Sequence, residues 1–156
     1  MLSNRNFDKS FMPLAIDVKG KKVLLIGGGR IAWHKIESLS QYADNIQVIA
    51  TEVSDQIKEA GIPFTEKAYD PSDLPGSTLV YACTNIPELN HRVLNDAHQL
   101  GILVNVVDNP ALCDFVSPAI YRKSYISVAV SSNAQDVYEA IRYRNRIKEL
   151  FENDPA

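Results

Sequence analysis

Four short runs of this chain carry residue types that could seat a nucleotide and move a proton: Gly27-Gly28-Gly29-Arg30-Ile31, Thr51-Glu52, Thr84-Asn85 and Asp108-Asn109-Pro110. The first follows the apolar run Val23-Leu24-Leu25-Ile26 and precedes a helical pattern. A strand that breaks at glycines and opens a helix delivers a pyrophosphate to free amide N–H groups and the positive end of the helix dipole. Gly27 suits the tight turn, Gly29 a close approach of backbone to phosphate, and Ala32 the tight packing of helix on strand. A plain βα turn without ligand gives the same glycine cluster, so context has to decide. Ala32, Ile36, Leu39 and Ala43 recur at helical spacing, and a second strand at 46–50 closes a βαβ unit near Glu52, about 20 residues past the motif.

Each of the other runs has a chemical and a structural reading. Thr51 and Glu52 suit the adenosine ribose, where a carboxylate favours NAD over NADP by repelling a 2′-phosphate; Glu52 equally suits the first turn of the next helix. Thr84 and Asn85 suit the nicotinamide half, or turn and cap chemistry before Pro87. Asp108 follows the apolar run Leu103-Val104-Asn105-Val106-Val107, where partial burial would lift its pKa toward the range of a general base. It equally suits the turn Asp108-Asn109-Pro110 as a turn-former.

The elements that must position these runs alternate. Strands are expected near 22–27, 46–50, 62–66, 78–82 and 102–107, and helices near 30–43, 52–60 and 87–100, the last with Leu89, Val93, Ala97 and Leu100 on one face. Alternation of this kind gives an α/β fold: a Rossmann-type doubly wound parallel sheet with the first strand near its middle. Ligands then bind beyond the carboxyl ends of the strands, which brings all four runs to one edge.

The pattern changes after Asp114. Two strands at 115–121 and 125–131, joined by the polar turn Arg122-Lys123-Ser124, precede a helix at 134–151 with Val137, Ala140, Ile141, Arg144, Ile147 and Phe151 along one stripe. Asn133 and Asp136 read as its capping pair. A hairpin and one helix bury little alone, so this piece is expected to form a two-fold dimer. The expected division is a dinucleotide-binding domain at 1–113 and a dimerisation and substrate segment at 114–156. Arg122, Lys123, Arg142, Arg144, Arg146 and Lys148 make the later segment locally basic, with a solvated helix face as the default explanation. Arg144 on the apolar stripe suits a polyanionic small molecule.

Composition narrows the function classes. The 156 residues are 46% hydrophobic and 22% charged, with a net charge of −3, which argues against non-specific nucleic-acid binding. No apolar run approaches the roughly 20 residues that span a bilayer, and the first residues lack a signal-peptide pattern. Cys83 and Cys113 are too few for a disulfide framework or a metal site and read as buried, inert thiols. His34, His91 and His98 lack metal-ligand spacing. The expected compartment is the cytoplasm.

Taken together, Met12-Pro13-Leu14, the glycine run with Ala32 and Lys35, Ala82-Cys83-Thr84-Asn85, Pro87-Glu88-Leu89-Asn90, the run from Gly101 to Pro110, Leu112-Cys113-Asp114-Phe115 and Ser117-Pro118-Ala119-Ile120 resemble the precorrin-2 dehydrogenase (sirohydrochlorin-forming) family, which also forms the N-terminal part of sirohaem synthases. The resemblance spans roughly residues 11–132, in order and at similar spacing. It implies NAD⁺-dependent oxidation of precorrin-2, a carboxylate-rich reduced tetrapyrrole, to sirohydrochlorin by a homodimer. Asp108 would be the acid/base residue, and the family's cofactor contacts would fall on Gly29, Arg30, Ile31, Thr51, Glu52 and Thr84, to which the reading of the residues adds Gly27, Gly28 and Asn85. Ser132, Arg122 and Arg144 are the candidate substrate contacts. Where the family usually runs Ser-Ser-Gly-Gly-Lys-Ser-Pro, this chain reads Ser131-Ser132-Asn133-Ala134-Gln135-Asp136-Val137, so the contacts there are altered. With no Cys/His cluster, and an end at Ala156 where many relatives continue into a helical third domain, dehydrogenase without chelatase activity is expected. The main rival is an NAD(H)-sensing regulatory module without catalysis, and a second is an NAD-dependent dehydrogenase for some other polycarboxylate.

Overall fold

A computed structural model of the chain describes residues 8–154, which form a five-stranded sheet and a separate two-stranded sheet. The first strand, β1 (Lys22–Gly28), is buried from Val23 onward. Val23 and Leu25 join one core cluster with Ala32, Ile36 and Ile57, while Leu24 and Ile26 alternate to the opposite face and are buried too. A strand covered on both faces has no polar side, which is why its sequence does not alternate. Beside it lie β2 (Ile46–Val53), β3 (Phe64–Glu66), β4 (Ser77–Ala82) and β5 (Leu103–Val106), all parallel, in the order β3-β2-β1-β4-β5. Ile26 sits opposite Ile49 and Ala82, and Ala82 opposite Val106. The strand order reverses between β1 and β4, which makes that crevice the switch point of the sheet.

Three helices connect the strands: α1 (Arg30–Leu39), α2 (Asp55–Glu59) and α3 (Pro87–Gln99). The doubly wound arrangement expected from the sequence is the one observed, with three shifts of detail. The strand β2 runs on through Thr51 and Glu52, so α2 starts only at Asp55, behind Ser54, and Glu52 is not in a helix. Helix α1 stops at Leu39; Ala43 is buried from the turn that follows, so its apolar spacing reflected packing rather than helix. On α3 the buried residues are Asn90, Val93, Leu94 and Ala97, whereas Leu100 is exposed.

The chain separates into two compact units, Ile16–Phe115 with the parallel sheet, and a second that joins the N-terminal segment up to Ala15 with Val116 onward. The second unit holds the antiparallel pair β6 (Ala119–Lys123) and β7 (Ile126–Val130) and the helix α4 (Val137–Asn153). The hairpin turn is Ser124-Tyr125, because Arg122 and Lys123 stay in β6, opposite Ser127 and Ile126, and Ser124 takes the left-handed conformation. Polarity marked 122–124 as a turn, yet exposed strand positions are polar as well. Helix α4 begins three residues later than expected, since Asn133 and Ala134 are left-handed and Asp136 is the N-cap, accepting from the Glu139 N–H at 2.9 Å. Asn133 takes no part in that cap. Its Oδ1 accepts from the Phe11 N–H at 2.6 Å and its Nδ2 donates to the Lys9 carbonyl at 2.9 Å, tying the two ends of this unit together.

Candidate functional site

Four strand ends, those of β1, β2, β4 and β5, build the rim of the parallel sheet. Past Ile26, β1 turns through Gly27, whose φ of +116° is left-handed and whose missing Cβ would lie 2.7 Å from the Cys83 carbonyl oxygen. Only glycine meets both conditions. A Cβ on Gly28 would lie 2.7 Å from the Glu52 carbonyl oxygen, so β1 and β2 are in close backbone contact there. The turn is fixed on both flanks, by the Cys83 N–H donating to the Ile26 carbonyl and the Ser54 N–H donating to the Gly28 carbonyl, each at 2.8 Å.

Gly29 differs from its neighbours. A Cβ there would meet nothing within 4 Å. It is the N-cap of α1, which has no side-chain cap and no acidic residue in its first turn. Arg30 and Ile31, the first residues of that helix, are exposed. A helix start with open space before it and no carboxylate on its positive end has the donors and the field that a pyrophosphate needs. The residues present therefore fit the phosphate portion of a dinucleotide. Thr51 and Glu52 lie exposed at the end of β2, next to Val53, which pairs with Gly28.

Thr84 stands two residues past β4 and is held by Asn90, a buried residue at the start of α3. The Thr84 hydroxyl donates to Asn90 Oδ1 at 2.6 Å, the Thr84 N–H donates to the same oxygen at 3.2 Å, and Asn90 Nδ2 donates to the Thr84 carbonyl at 3.0 Å. The Ile86 N–H in turn donates to Thr84 Oγ1 at 3.2 Å. Thr84 thus does cap-like work before Pro87, and its hydroxyl is oriented rather than free to rotate; Asn85 is exposed beside it. Asn90 lies outside the four short runs that carry the chemistry. Its signal was a polar residue at the i, i+3, i+4, i+7 spacing of the buried stripe, where a buried amide has to find partners.

Asp108 comes two residues after β5. The Val107 N–H donates to the Ala82 carbonyl and the Asn109 N–H to the Val106 carbonyl, both at 3.1 Å, so 106–109 is a closed four-residue turn with Asp108 third. Its φ is +61°. A left-handed third position is that of a type II turn, which favours glycine or asparagine. Asp108 is exposed, not part-buried as its apolar neighbours suggested, because the turn carries it beyond the buried end of the strand. Cys83, buried between these strand ends, reports the electrostatics. Burial pushes its thiol up to about 12, the Asp108 carboxylate adds to that rise, and the Lys35 ammonium on α1 opposes it. Opposite charges from α1 and the β5 turn thus act on one point beside Gly27. Cys113 is buried as well, so both thiols are where their apolar neighbours placed them.

The glycine turn, Thr51-Glu52, Thr84-Asn85 and Asp108 therefore share one edge of one unit. Ser132, Arg122 and Arg144 belong to the other unit. There the Asp136 N–H donates to Ser132 Oγ at 3.1 Å, Arg122 Nε donates to the Ser124 carbonyl at 3.2 Å, and Arg144 Nη1 donates to the Ile120 carbonyl at 3.0 Å. Arg144 is thus on the apolar stripe because it ties α4 to β6. Among the described residues no group of three or more His, Cys, Asp or Glu is placed to hold a metal ion. No described helix is long and apolar enough to cross a membrane.

A family model for NAD(P)-binding domains matches residues 14–119. The siroheme synthase of Azotobacter vinelandii is 39% identical over 142 residues, which cover 88% of this chain and 31% of that protein. The siroheme synthase of Ectopseudomonas mendocina is 43% identical over 124 residues, 78% of this chain and 27% of that one. The chain therefore spans about three tenths of the length of these curated relatives. Among solved structures, SirC, a precorrin-2 dehydrogenase, superposes with a TM-score of 0.74 over 90% of this chain and 70% of its own, at 24% identity. That likeness is one of fold.

Proposed function

The chain belongs to the NAD(P)-binding family, whose model covers most of its length, and from that premise we propose that it is an NAD⁺-dependent dehydrogenase oxidising precorrin-2 to sirohydrochlorin. The observation that carries this reading is the rim itself: an uncapped helix start with open space at Gly29, beyond β1, and a carboxylate held in a left-handed turn beyond β5, on strand ends separated only by β4. Relatives named siroheme synthase and a fold shared with SirC support the choice of substrate. NAD⁺, when bound, supplies the hydride acceptor. The chain's own residues do the rest. Backbone N–H groups at the start of α1 hold the pyrophosphate, Glu52 takes the adenosine ribose, and Thr84 and Asn85 line the nicotinamide side. Removing two hydrogens from the ring releases a proton as well as a hydride, and Asp108 takes that proton and passes it to water. Its exposure suits this task, since a base must shed the proton each turnover.

A homodimer belongs to the same proposal. Tyr125, Tyr138 and Leu150 of the second unit are 89, 85 and 72% exposed, more apolar surface than a lone hairpin and helix conceal. We assign the protein to the cytoplasm, where free thiols persist. The deciding experiment is anaerobic incubation with precorrin-2 and NAD⁺, followed by absorbance. Conversion to the sirohydrochlorin spectrum with stoichiometric NADH supports the reading. Unchanged spectra despite tight NAD⁺ binding would leave a nucleotide-sensing module instead. Metal insertion is not assigned to this chain, and metallation of sirohydrochlorin above the spontaneous rate in the same preparation would contradict that.

Two variants probe the cofactor contacts. Gly29→Ala has room for its methyl group and should cost at most about 1 kcal/mol, from the weaker N-cap preference of alanine. The methyl would stand where the phosphates approach, so NAD⁺ affinity should fall at least about tenfold. Calorimetric titration beside thermal unfolding separates the two effects, and undiminished affinity removes Gly29 from the site. Glu52→Ala should narrow the preference for NAD⁺ over NADP⁺ by about tenfold, read as the ratio of kcat/KM values. An unchanged ratio would mean that the ribose lies elsewhere.

A further inference from the structure

Cys113 has partners that the proposed reaction does not use. Its thiol is 2% exposed and lies under the turn that carries Asp108. The Val106 N–H donates to Sγ at 3.2 Å, and the thiol proton has two acceptors, the Val106 carbonyl at 3.2 Å and the Asn109 carbonyl at 3.3 Å. Val106 and Asn109 are the first and last residues of the turn, so one side chain grips both of its ends. Beside it the Asp114 N–H donates to the Val104 carbonyl at 2.8 Å, and the Val104 N–H donates to the Asp114 carboxylate at 2.9 Å. The chain thus doubles back along the open side of β5 and satisfies its outward backbone groups from Cys113 and Asp114.

A non-glycine residue at positive φ costs roughly 1 kcal/mol or more and persists only where its surroundings over-determine it. The 106–109 turn has its own closing hydrogen bond, but that bond constrains the end residues and not the carboxylate between them. We infer that Cys113 is the positioning residue for Asp108: by bonding both ends of the turn from below, its thiol fixes the left-handed backbone and with it the point at which the carboxylate meets the substrate. This inference rests on the proton-transfer reading of Asp108 given above. A thiol suits the place because it is a small apolar group with a long C–S bond and weak donor and acceptor capacity, so it can be buried at low cost while reaching three backbone atoms.

The test compares Cys113→Val, Cys113→Ala and Cys113→Ser in the anaerobic precorrin-2 assay. Valine fills the space without bonding, and serine keeps a donor and an acceptor. We expect kcat to fall at least about tenfold in the valine and alanine variants, KM for NAD⁺ to stay within about twofold, and serine to recover kcat to within about threefold of wild type. In an Asp108→Asn background, Cys113→Val should cost nothing further, because the two changes act through one group. A valine variant with wild-type kcat, a loss shared by KM for NAD⁺, or an additive loss in the double variant overturns the inference. Where the apolar variants do not fold, hydrogen exchange of the wild-type protein decides. The Val106 amide faces away from β4 and its acceptor is the sulfur, so it should be protected, and exchange at the rate of an open amide overturns the clamp. A wild-type chain that leaves precorrin-2 unchanged instead fells the dehydrogenase reading, and this inference with it.

Discussion

Replacing Asp108 by asparagine lowers turnover of precorrin-2 at least about 100-fold while leaving the dissociation constant for NAD⁺ within about twofold. The two side chains are nearly the same size, and asparagine tolerates the left-handed backbone at least as well. What is lost is the ability to take up a proton. The variant folds as well as the parent, because nothing in the turn depends on the carboxylate: the bonds of 106–109 are all made by backbone and by Cys113. Asp108→Gly carries the argument further. Glycine relieves the strain at a φ of +61°, so thermal unfolding should show a gain of up to about 1 kcal/mol alongside the same loss of turnover. Rising stability with falling activity marks a residue kept for chemistry at the expense of the fold. Turnover near wild type in either variant would remove Asp108 from the mechanism, and a drop in stability would show that the carboxylate is a turn-former after all.

Gly27→Ala should do the opposite and damage the fold before it reaches the chemistry. Its Cβ would stand 2.7 Å from the Cys83 carbonyl oxygen and 2.8 Å from the carbonyl carbon, atoms of a backbone pinned to β1 and unable to retreat. The left-handed conformation adds its own penalty. Overpacking of this kind and backbone strain cost about 1–3 kcal/mol each, so a loss of about 2–6 kcal/mol is expected, enough to unfold a marginal domain. Denaturant unfolding of Gly27→Ala beside Gly29→Ala gives the contrast directly, since two glycines of one turn should differ by several kcal/mol. Equal stability in the two would mean that the turn is free to relax and that Gly27 is not its fixed point.

How far the chain could be read in advance followed from what each residue was surrounded by. β1 and its glycine turn were legible because a strand buried on both faces, followed by a helix, leaves an unbroken apolar run and then a sudden change of period. The parallel order and the shared rim follow from alternation alone. The extension of β2 through Thr51 and Glu52 was hidden because those positions are exposed at a strand end, where polar residues look like loop. The hairpin turn was misjudged by polarity for the same reason. Asn133 looked like a cap because capping residues and left-handed residues are the same types; only its bonds to Lys9 and Phe11, more than 120 positions away, distinguish them. Long-range partners of this kind leave no local trace. Nor did the thiol of Cys113, which reads as core until its hydrogen bonds are seen.

The two borders of the parallel sheet determine what an encounter between molecules can lead to. One border is β3, three residues long and exposed along its length, with Glu66 at its end drawn into an ion pair with Lys58 at 2.8 Å. The other is β5, whose outward groups are already taken by a carboxylate and a thiol. A foreign strand would find too few rungs to climb at the first and none vacant at the second. The sheet should therefore resist templated, fibre-like stacking even when heating loosens its helices, and turbidity on warming should track the other unit rather than this one.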